Sequence, residues 1–232
     1  MGDGTTGRGR GARMGTSAGD AAAWAAWVGE TMQVLAAGEE VVDHHLFLRT
    51  GAGVELYVLG AGGRADKDML AHIMRALVAA REATAAALAA ESWVGTFDGP
   101  DDLDMARYTS GRVALRDLPP GKRKEMLVVM GQTEDGHLAW RFRRIEGDAA
   151  GRRFIPEPGG DGEAAVYDEG EAGRPGAIPQ SPYLPLFILP AAAGPGGTVA
   201  RLALRDASRA LLRDLGIPGT GTPVPGPGGR AH

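Results

Sequence analysis

Residues 125–145 read EMLVVMGQTEDGHLAWRFRRI, and this stretch decides the class of fold. Apolar and polar side chains alternate on each side of Glu134-Asp135-Gly136, and an Asp-Gly pair readily adopts the positive φ angles of a tight hairpin turn. The stretch therefore predicts an antiparallel hairpin of residues 125–133 and 137–145. The second arm separates two kinds of side chain: Arg141 and Arg143 face one way, and Leu138, Trp140 and Phe142 face the other.

A second hairpin is predicted closer to the N-terminus. Residues 41–49 and 54–59 are rich in apolar and β-branched side chains and flank Thr50-Gly51-Ala52-Gly53, which is typical of a hairpin turn. Alternation assigns an apolar face and a polar face to this hairpin. We expect the apolar face to carry Val42, His44, Leu46, Leu48, Val54, Leu56 and Val58, and the polar face to carry Asp43, His45, Arg49 and Glu55.

Two helices and one more strand accompany the hairpins. Residues 21–37 place apolar side chains at helical spacing, and a second helix is predicted from an N-cap at Asp66 to about Arg81. Residues 85–97 end in Ser-Trp-Val-Gly-Thr-Phe, which favours a strand. The apolar side chains of the first helix are Trp24, Trp27, Val28, Met32 and Leu35.

These elements predict an α+β fold of two layers. About five strands (two hairpins plus one strand) would form an antiparallel or mixed sheet covered by two helices, because a sheet with one apolar face needs one helical layer. The termini are rich in Gly and Pro, of which the chain has 37 and 15. The predicted division is a disordered segment 1–19, an α+β domain 20–156, a linker 157–182, a C-terminal apolar segment and helix 183–216, and a disordered tail 217–232.

Composition excludes several classes of function. The chain of 232 residues has no cysteine, which rules out disulfides and thiolate ligands, and its net charge of −4 gives no general attraction to nucleic acid. Of its 25 basic residues 22 are arginine, which suggests a GC-rich bacterial or phage gene. No apolar run approaches the roughly 20 residues of a membrane span. We expect a soluble cytoplasmic protein without a cofactor.

The candidate catalytic residues centre on Glu91. A carboxylate in the apolar strand 85–97 is costly to bury unless it is paired, and a buried glutamate with a shifted pKa is a candidate general acid. Arg123 or Arg116 could pair with it. The alternative is that Glu91 is exposed on a one-sided sheet or forms a structural ion pair. No nucleophile motif or metal-binding motif accompanies Glu91.

A basic patch is the second candidate. Lys122, Arg123 and Lys124 precede one arm of the 125–145 hairpin, and Arg141 and Arg143 lie on the other, so the two groups could merge. Basic residues interleaved with aromatic ones such as Trp93 suit single-stranded nucleic acid. The alternative is that these side chains form an ordinary solvated face.

Residues 66–145 resemble a set of uncharacterised bacterial and phage proteins. The resemblance is carried by Glu91-Ser92-Trp93 at the end of a strand, by Pro119-Pro120, and by Arg123 and Glu125 at the start of the next strand. It implies no activity. It singles out Glu91, Trp93, Arg123 and Glu125 for mutation.

Three functions follow as hypotheses. The first is a binding or assembly module without catalysis, in which the apolar segment 183–189 or the Trp24/Trp27 stripe docks an unknown protein partner or a second copy. The second is a nucleic-acid-associated protein that uses the basic hairpin 122–144. The third is a metal-dependent hydrolase or nuclease centred on Glu91.

Overall fold

The computed structural model describes residues 18–37, 39, 42–60, 64–99, 101–147, 151–165, 183–187 and 195–227. Within these residues the chain is α+β, with four α-helices and eight strands. The helices are α1 (Ala18–Leu35), α2 (Arg64–Ala80), α3 (Leu103–Thr109) and α4 (Pro195–Asp214). The strands are β1 (His44–Thr50), β2 (Gly53–Leu59), β3 (Ala85–Gly95), β4 (Arg123–Thr133), β5 (His137–Glu146), β6 (Arg153–Pro156), β7 (Gly162–Ala165) and β8 (Thr222–Val224).

The strands form one open antiparallel sheet in the order β6-β5-β4-β3-β1-β2-β8, and β7 also pairs with β5. The predicted fold of about five strands and two helices in two layers is therefore wrong. The three added strands are the short ones, β6, β7 and β8, which lie at or near the ends of the sheet. The second error is in the layers, because helices pack on both faces of the sheet.

Helix α1 covers one face of the sheet, which we call the α1 face. Its apolar side chains meet the odd-numbered residues of β3 and β4, among them Ala87 and Val129. Gly131 lies under the helix: a Cβ there would come within 3.3 Å of the backbone oxygen of Ala21. The predicted inward residues Trp24, Val28 and Met32 are buried, which confirms the apolar face of this helix.

The opposite face, which we call the α2 face, is covered by α2 and by residues 183–187. Met74 and Leu77 of α2 are fully buried against even-numbered sheet residues such as Leu88. Helix α4 packs along α2 through Leu212 and adds a further outer layer. Helix α2 begins two residues before the predicted N-cap at Asp66 and ends at Ala80, close to the predicted end.

Strand β1 is buried on both faces, which contradicts the predicted apolar and polar faces. Phe47 lies on the α1 face with Leu56, its partner across the ladder, while Leu48 and Glu55 form a pair on the α2 face. Leu56 and Glu55 are therefore on the faces opposite to those predicted. The helix layers on both sides explain the error, since a strand covered twice loses its polar alternation.

Other local predictions are confirmed by the structure. The hairpin of β4 and β5 turns through residues 134–136, with Gly136 at a φ of 90°, and β3 occupies most of the predicted strand 85–97. The connection between β3 and β4 contains the short helix α3, and its N-cap is Asp102, whose carboxylate accepts a hydrogen bond from the backbone N–H of Asp104.

Two C-terminal segments differ from expectation. Strand β7 lies in the predicted linker 157–182, and β8 lies in the predicted tail 217–232, where it pairs with β2. Much of the predicted disordered segment 1–19, together with residues 166–182 and 228–232, is outside the described residues. Among the helices that the structure describes, none has the length and apolarity needed to cross a membrane.

Candidate functional site

Glu91 lies on the α1 face of β3, past the end of the alanine-rich part of the strand. Its side chain is 5 % exposed, and Arg152 Nη2 lies 2.5 Å from its Oε1. Burial raises the pKa of Glu91 above its ordinary value, and the charge of Arg152 offsets this rise only in part. The structure thus shows a buried, paired carboxylate whose partner is Arg152, not Arg123 or Arg116.

Arg152 also binds the segment that follows α1. Its Nη1 donates a hydrogen bond of 3.0 Å to the backbone oxygen of Glu39, and its guanidinium is 10 % exposed. The backbone N–H of Glu91 donates to the oxygen of Val42, 3.3 Å away. The Glu91–Arg152 pair therefore joins β3, the α1–β1 connection and the start of β6.

The other three residues of the sequence motif lie at the outer end of β3 and β4. Trp93 pairs with Glu125 across the ladder, and Gly95 pairs with Arg123. The Arg123 guanidinium lies 4.8 Å from the centroid of the Trp93 ring, within the range of a cation–π contact. Glu125 is exposed. The structure therefore places Trp93 and Arg123 together, and the charge of Glu125 contributes to the raised pKa of Glu91.

The predicted basic patch is divided and largely neutralised. Lys124 belongs to the α2 face, whereas Arg123, Arg141 and Arg143 belong to the α1 face. Four of the five basic residues have acidic partners within 3.5 Å, at these nitrogen–oxygen distances: Lys122 to Asp98 2.5 Å and to Asp102 2.7 Å, Lys124 to Glu157 2.5 Å, Arg141 to Asp161 3.5 Å, and Arg143 to Asp161 2.6 Å.

Arg141 and Arg143 of β5 are also more buried than side chains on a solvated face would be. The side chains of Arg141 and Arg143 are 12 % and 14 % exposed. Arg141 also donates to the backbone oxygen of Ala22 in α1, at 3.3 Å. These contacts hold β5 to α1 and to the turn before β7, which explains the two arginines structurally. In the described part of the chain no group of three or more His, Asp or Glu side chains is arranged to hold a metal ion.

A second buried carboxylate, which the sequence analysis assigned to a polar face, lies on the α2 face. Glu55 accepts hydrogen bonds from Arg81, from the Tyr57 hydroxyl at 2.9 Å and from the backbone N–H of Gly221 at 3.4 Å. Burial opposes its ionisation, but the hydrogen bonds from Arg81 and Tyr57 outweigh that effect and hold the pKa of Glu55 below its ordinary value. Glu55 thus connects β2, the end of α2 and the segment that leads into β8.

An open cavity of about 460 Å³ lies where the C-terminal ends of α2 and α4 meet. Two of its arginines already have partners: Arg81 binds Glu55, and Arg209 Nε donates to the backbone oxygen of Ala80 at 3.1 Å. The cavity is lined by Ala80, Arg81, Arg209, Leu212, Arg213, Ile217 and Gly219.

The outer face of α4 carries a concentration of exposed apolar side chains. Among the described residues, eight large hydrophobic side chains are exposed, and four of them belong to α4 or to the residue after it. These four are Val199 at 66 %, Leu202 at 42 %, Leu211 at 42 % and Leu215 at 44 %.

Five exposed apolar residues follow one another at intervals of four along this helix, and we call them the α4 row: Val199, Ala203, Ala207, Leu211 and Leu215. Residues four apart form a continuous ridge on a helix surface. The helix is predicted from the sequence, but the row is not. The spacing of four residues is visible in the sequence, but the sequence does not show which side of the helix packs on the rest of the domain.

The two segments that were expected to dock a partner are instead part of the core. Trp24 is 1 % exposed and stacks on Trp27 with ring centroids 4.9 Å apart. Tyr183, Leu186 and Phe187 are all buried on the α2 face. Ile188 and Leu189 lie outside the described residues. Among the described residues, the exposed large apolar side chains that share one element are therefore those of α4.

Comparisons with known proteins assign no family to the chain. Neither the models of protein families, nor the curated proteins, nor the solved structures include a match. The resemblance of residues 66–145 to uncharacterised bacterial and phage proteins stays a prediction. Function has to be inferred from the side chains themselves, and the α4 row is one apolar surface that the described part of the fold leaves uncovered.

Proposed function

We propose that the protein is a binding or assembly module that docks a protein partner through the α4 row. The observation that carries this proposal is the concentration of exposed apolar side chains on one helix. Isolated exposed hydrophobic residues are normal on a protein surface, whereas contiguous ones mark interaction sites. Val34, Val58, Met69 and Leu103 are of the isolated kind, since they lie on four different elements or connections.

Helix α4 is held firmly enough to present a defined surface. Its inner side contacts α2, with Ser208 and Leu212 buried. Its end is closed by two hydrogen bonds, from the N–H of Ile217 to the oxygen of Leu212 at 2.9 Å and from the N–H of Gly216 to the oxygen of Arg213 at 3.0 Å. This is the Schellman pattern, with Gly216 at a φ of 67°.

Two of the four arginines of α4 have partners at or just after the C-terminal end of α2. Arg205 Nη1 lies 3.4 Å from Glu82 Oε2, and Arg209 donates to the backbone of Ala80. Arginine stems often shield apolar surface from water when they are free to lie along it. The contacts of Arg205 and Arg209 direct these two stems toward the end of α2.

The proposal is tested by placing a photoreactive amino acid at one exposed position at a time. Leu211 in the α4 row is the test position, and Val58 on β2, which is 58 % exposed but isolated, is the matched control. The full chain is produced in its host cells and irradiated. We expect a covalent adduct with a protein from Leu211 and a much lower yield from Val58.

Adducts of equal yield from both positions would show that any exposed apolar residue reacts, and would contradict the proposal. The absence of a protein adduct from Leu211 would contradict it as well. Replacement of Ala207 by Glu in the same experiment should abolish the Leu211 adduct, because a charge in the middle of an apolar contact costs free energy unless it is paired.

A further inference from the structure

We propose that protonation of His44 weakens the attachment of the Tyr183 end of segment 183–187 to the α2 face. This inference stands apart from the α4 row, because it concerns a contact between β1 and the segment that covers the sheet. His44 begins β1, and its imidazole meets the ring of Tyr183, with ring centroids 5.0 Å apart and the two planes at 70°. Tyr183 is buried, so this contact helps to close one side of the core on the α2 face.

The position of His44 suits a neutral imidazole. Its Nδ1 atom is buried and has no hydrogen-bond partner within the described part of the chain, and its partner across the ladder on β2 is the apolar Leu59. A neutral ring can present this nitrogen without a hydrogen, whereas a protonated ring carries a hydrogen on both nitrogens. Protonation would therefore place a buried N–H where nothing accepts it, which costs free energy. Opening of the Tyr183 contact would give that N–H access to water.

The charges around His44 also oppose its protonation. Burial is the largest cause and lowers the pKa of His44 below its ordinary value of 6.5, and the positive charge of Lys67 on α2 acts in the same direction. Next to His44 in the chain, Asp43 raises this pKa and His45 lowers it, both by smaller amounts than burial. Tyr183 offers no negative charge to a protonated imidazole, since burial raises the pKa of its hydroxyl to about 12.

Two other contacts that hold the segment do not titrate between about pH 5 and pH 8. Arg75 of α2 donates to the backbone oxygen of Pro185 at 2.9 Å. At the far end of the segment, the N–H of Leu186 donates to the side-chain oxygen of Gln132 at 2.7 Å. Arginine stays protonated and the amide side chain carries no charge, so both contacts persist in acid. Acidification should therefore loosen the Tyr183 end while Leu186 stays in place.

The direction of the pH effect follows from the lowered pKa of His44. A histidine whose pKa is lower in the closed than in the open arrangement favours closure above the pKa of the open arrangement, about 6.5. This contribution is lost as the pH falls through the lowered pKa of the closed arrangement. A difference of one pH unit between the two pKa values raises the opening constant about tenfold. The Tyr183 end should therefore be closed at neutral pH and open more often in mild acid.

Hydroxyl-radical footprinting of the full chain tests the proposal, because mass spectrometry then measures how accessible each side chain is to solvent. The readout is the oxidation of Tyr183 divided by that of Tyr57, a buried tyrosine of β2 that reports on the same core. His44→Phe keeps an aromatic ring beside Tyr183 and removes the titration, and His72→Phe is the matched control at an exposed position of α2. Between about pH 7.5 and pH 5 the ratio should rise about threefold or more in the wild type and in His72→Phe, and stay within about twofold in His44→Phe.

The pH midpoint of Tyr183 oxidation should also coincide with the pKa of His44 measured by nuclear magnetic resonance in the wild type, which decides the question if His44→Phe does not fold. A ratio that does not depend on pH, or that falls in acid, would overturn the inference. A rise that persists in His44→Phe, or a midpoint that differs from the pKa of His44, would overturn it too. If oxidation of Tyr57 rises in parallel with that of Tyr183, the whole core opens and the local explanation fails. None of these outcomes bears on the α4 row, which the photoreactive substitutions test separately.

Discussion

Glu82 is the one residue other than glycine, within the described chain, with a positive φ; its value is 51°. It closes α2 in a Schellman pattern, in which the N–H of Ala83 donates to the oxygen of Val78 at 3.1 Å and the N–H of Glu82 to the oxygen of Ala79 at 3.2 Å. Glycine is the usual residue at this position because a Cβ is strained there. Glu82 therefore lowers the stability of its own helix end.

Replacement of Glu82 by Gly should raise the free energy of unfolding by about 0.5–1 kcal/mol, because the left-handed conformation costs an L-residue more than it costs glycine. The carboxylate of Glu82 is 62 % exposed, so its contacts with Arg205 and Arg209 add little. Glu82→Ala is the control, since it removes the carboxylate and keeps the strain. Urea unfolding should give Glu82→Gly a higher free energy of unfolding than the wild type, and Glu82→Ala a value equal to or below that of the wild type. Equal stability of the two variants would show that the strain is absent.

The ion pair of Glu91 and Arg152 gives a second prediction, in which the two partners are not equivalent. Arg152→Met should lower the free energy of unfolding at neutral pH by about 3 kcal/mol, because it leaves a buried carboxylate without a counter-charge. Glu91→Gln should cost less than Arg152→Met, since burial raises the pKa of Glu91 and Arg152 keeps its hydrogen bond to the backbone oxygen of Glu39. The double variant should recover most of the loss.

The pH dependence of Arg152→Met follows from the same raised pKa. A carboxyl whose pKa is higher in the folded than in the unfolded chain contributes stability below its unfolded pKa and loses it as pH rises through the folded pKa. The defect of Arg152→Met should therefore shrink as pH falls and Glu91 takes up a proton. Urea unfolding of this variant and of the double variant between about pH 5 and pH 8 measures the difference. A defect that does not depend on pH, or that the double variant keeps in full, would contradict this explanation.

At the scale of elements, the segment 183–187 acts as part of the core although it has no regular secondary structure. Leu186 is fully buried on the α2 face, and its N–H donates to the side-chain oxygen of Gln132 at 2.7 Å. Arg75 of α2 donates to the backbone oxygen of Pro185 at 2.9 Å. Hydrogen bonds from two elements thus fix an irregular segment across the sheet.

Leu186→Ala should lower the free energy of unfolding by about 3 kcal/mol, because it removes a fully buried side chain and leaves a cavity. Leu184→Ala in the same segment is the control. Leu184 is only half-buried, so its truncation should lower the free energy of unfolding clearly less. Chemical unfolding of both variants measures the two losses. If Leu186→Ala costs no more than Leu184→Ala, the segment does not fill the core.

The elements that sequence alone predicted are those whose local signals agree with their environment. The hairpin of β4 and β5 has a turn glycine, and α2 has an apolar stripe that does face the sheet. Strand β8 has no such local signal: Thr222, Pro223 and Val224 are extended because β2 offers them a partner. The same holds for β7, whose Gly-Glu-Ala-Ala sequence has low strand propensity but pairs with β5.

The candidate site was predictable to a similar extent. The apolar neighbours of Glu91 in sequence indicated burial, and burial is observed. Its partner Arg152 was not predictable, because the pair depends on how β6 returns to the end of the sheet. The α4 row required knowledge of which side of α4 packs on α2, and sequence periodicity does not give that when both sides of a helix carry leucine.

At the scale of the whole molecule, two hydrophobic cores share a single sheet. Met32 belongs to the core on the α1 face, and Leu77 belongs to the core on the α2 face, and both side chains are fully buried. Strands β1, β3 and β4 supply alternate residues to both cores. Neither core can therefore lose its packing while the other keeps an intact sheet, and the molecule should unfold in one cooperative step.

Met32→Ala and Leu77→Ala test this coupling from opposite faces. Each should lower the free energy of unfolding by about 2–5 kcal/mol, the usual cost of truncating a buried side chain. Both variants are made with Trp93 and Trp140 replaced by Phe, so that tryptophan fluorescence reports on Trp24 and Trp27 of α1. In each variant this fluorescence and far-ultraviolet circular dichroism, which reports on the whole backbone, should keep one common midpoint. If Leu77→Ala shifts the dichroism but leaves the fluorescence midpoint of the wild type, the α1 face unfolds independently, and the shared sheet does not couple the two cores.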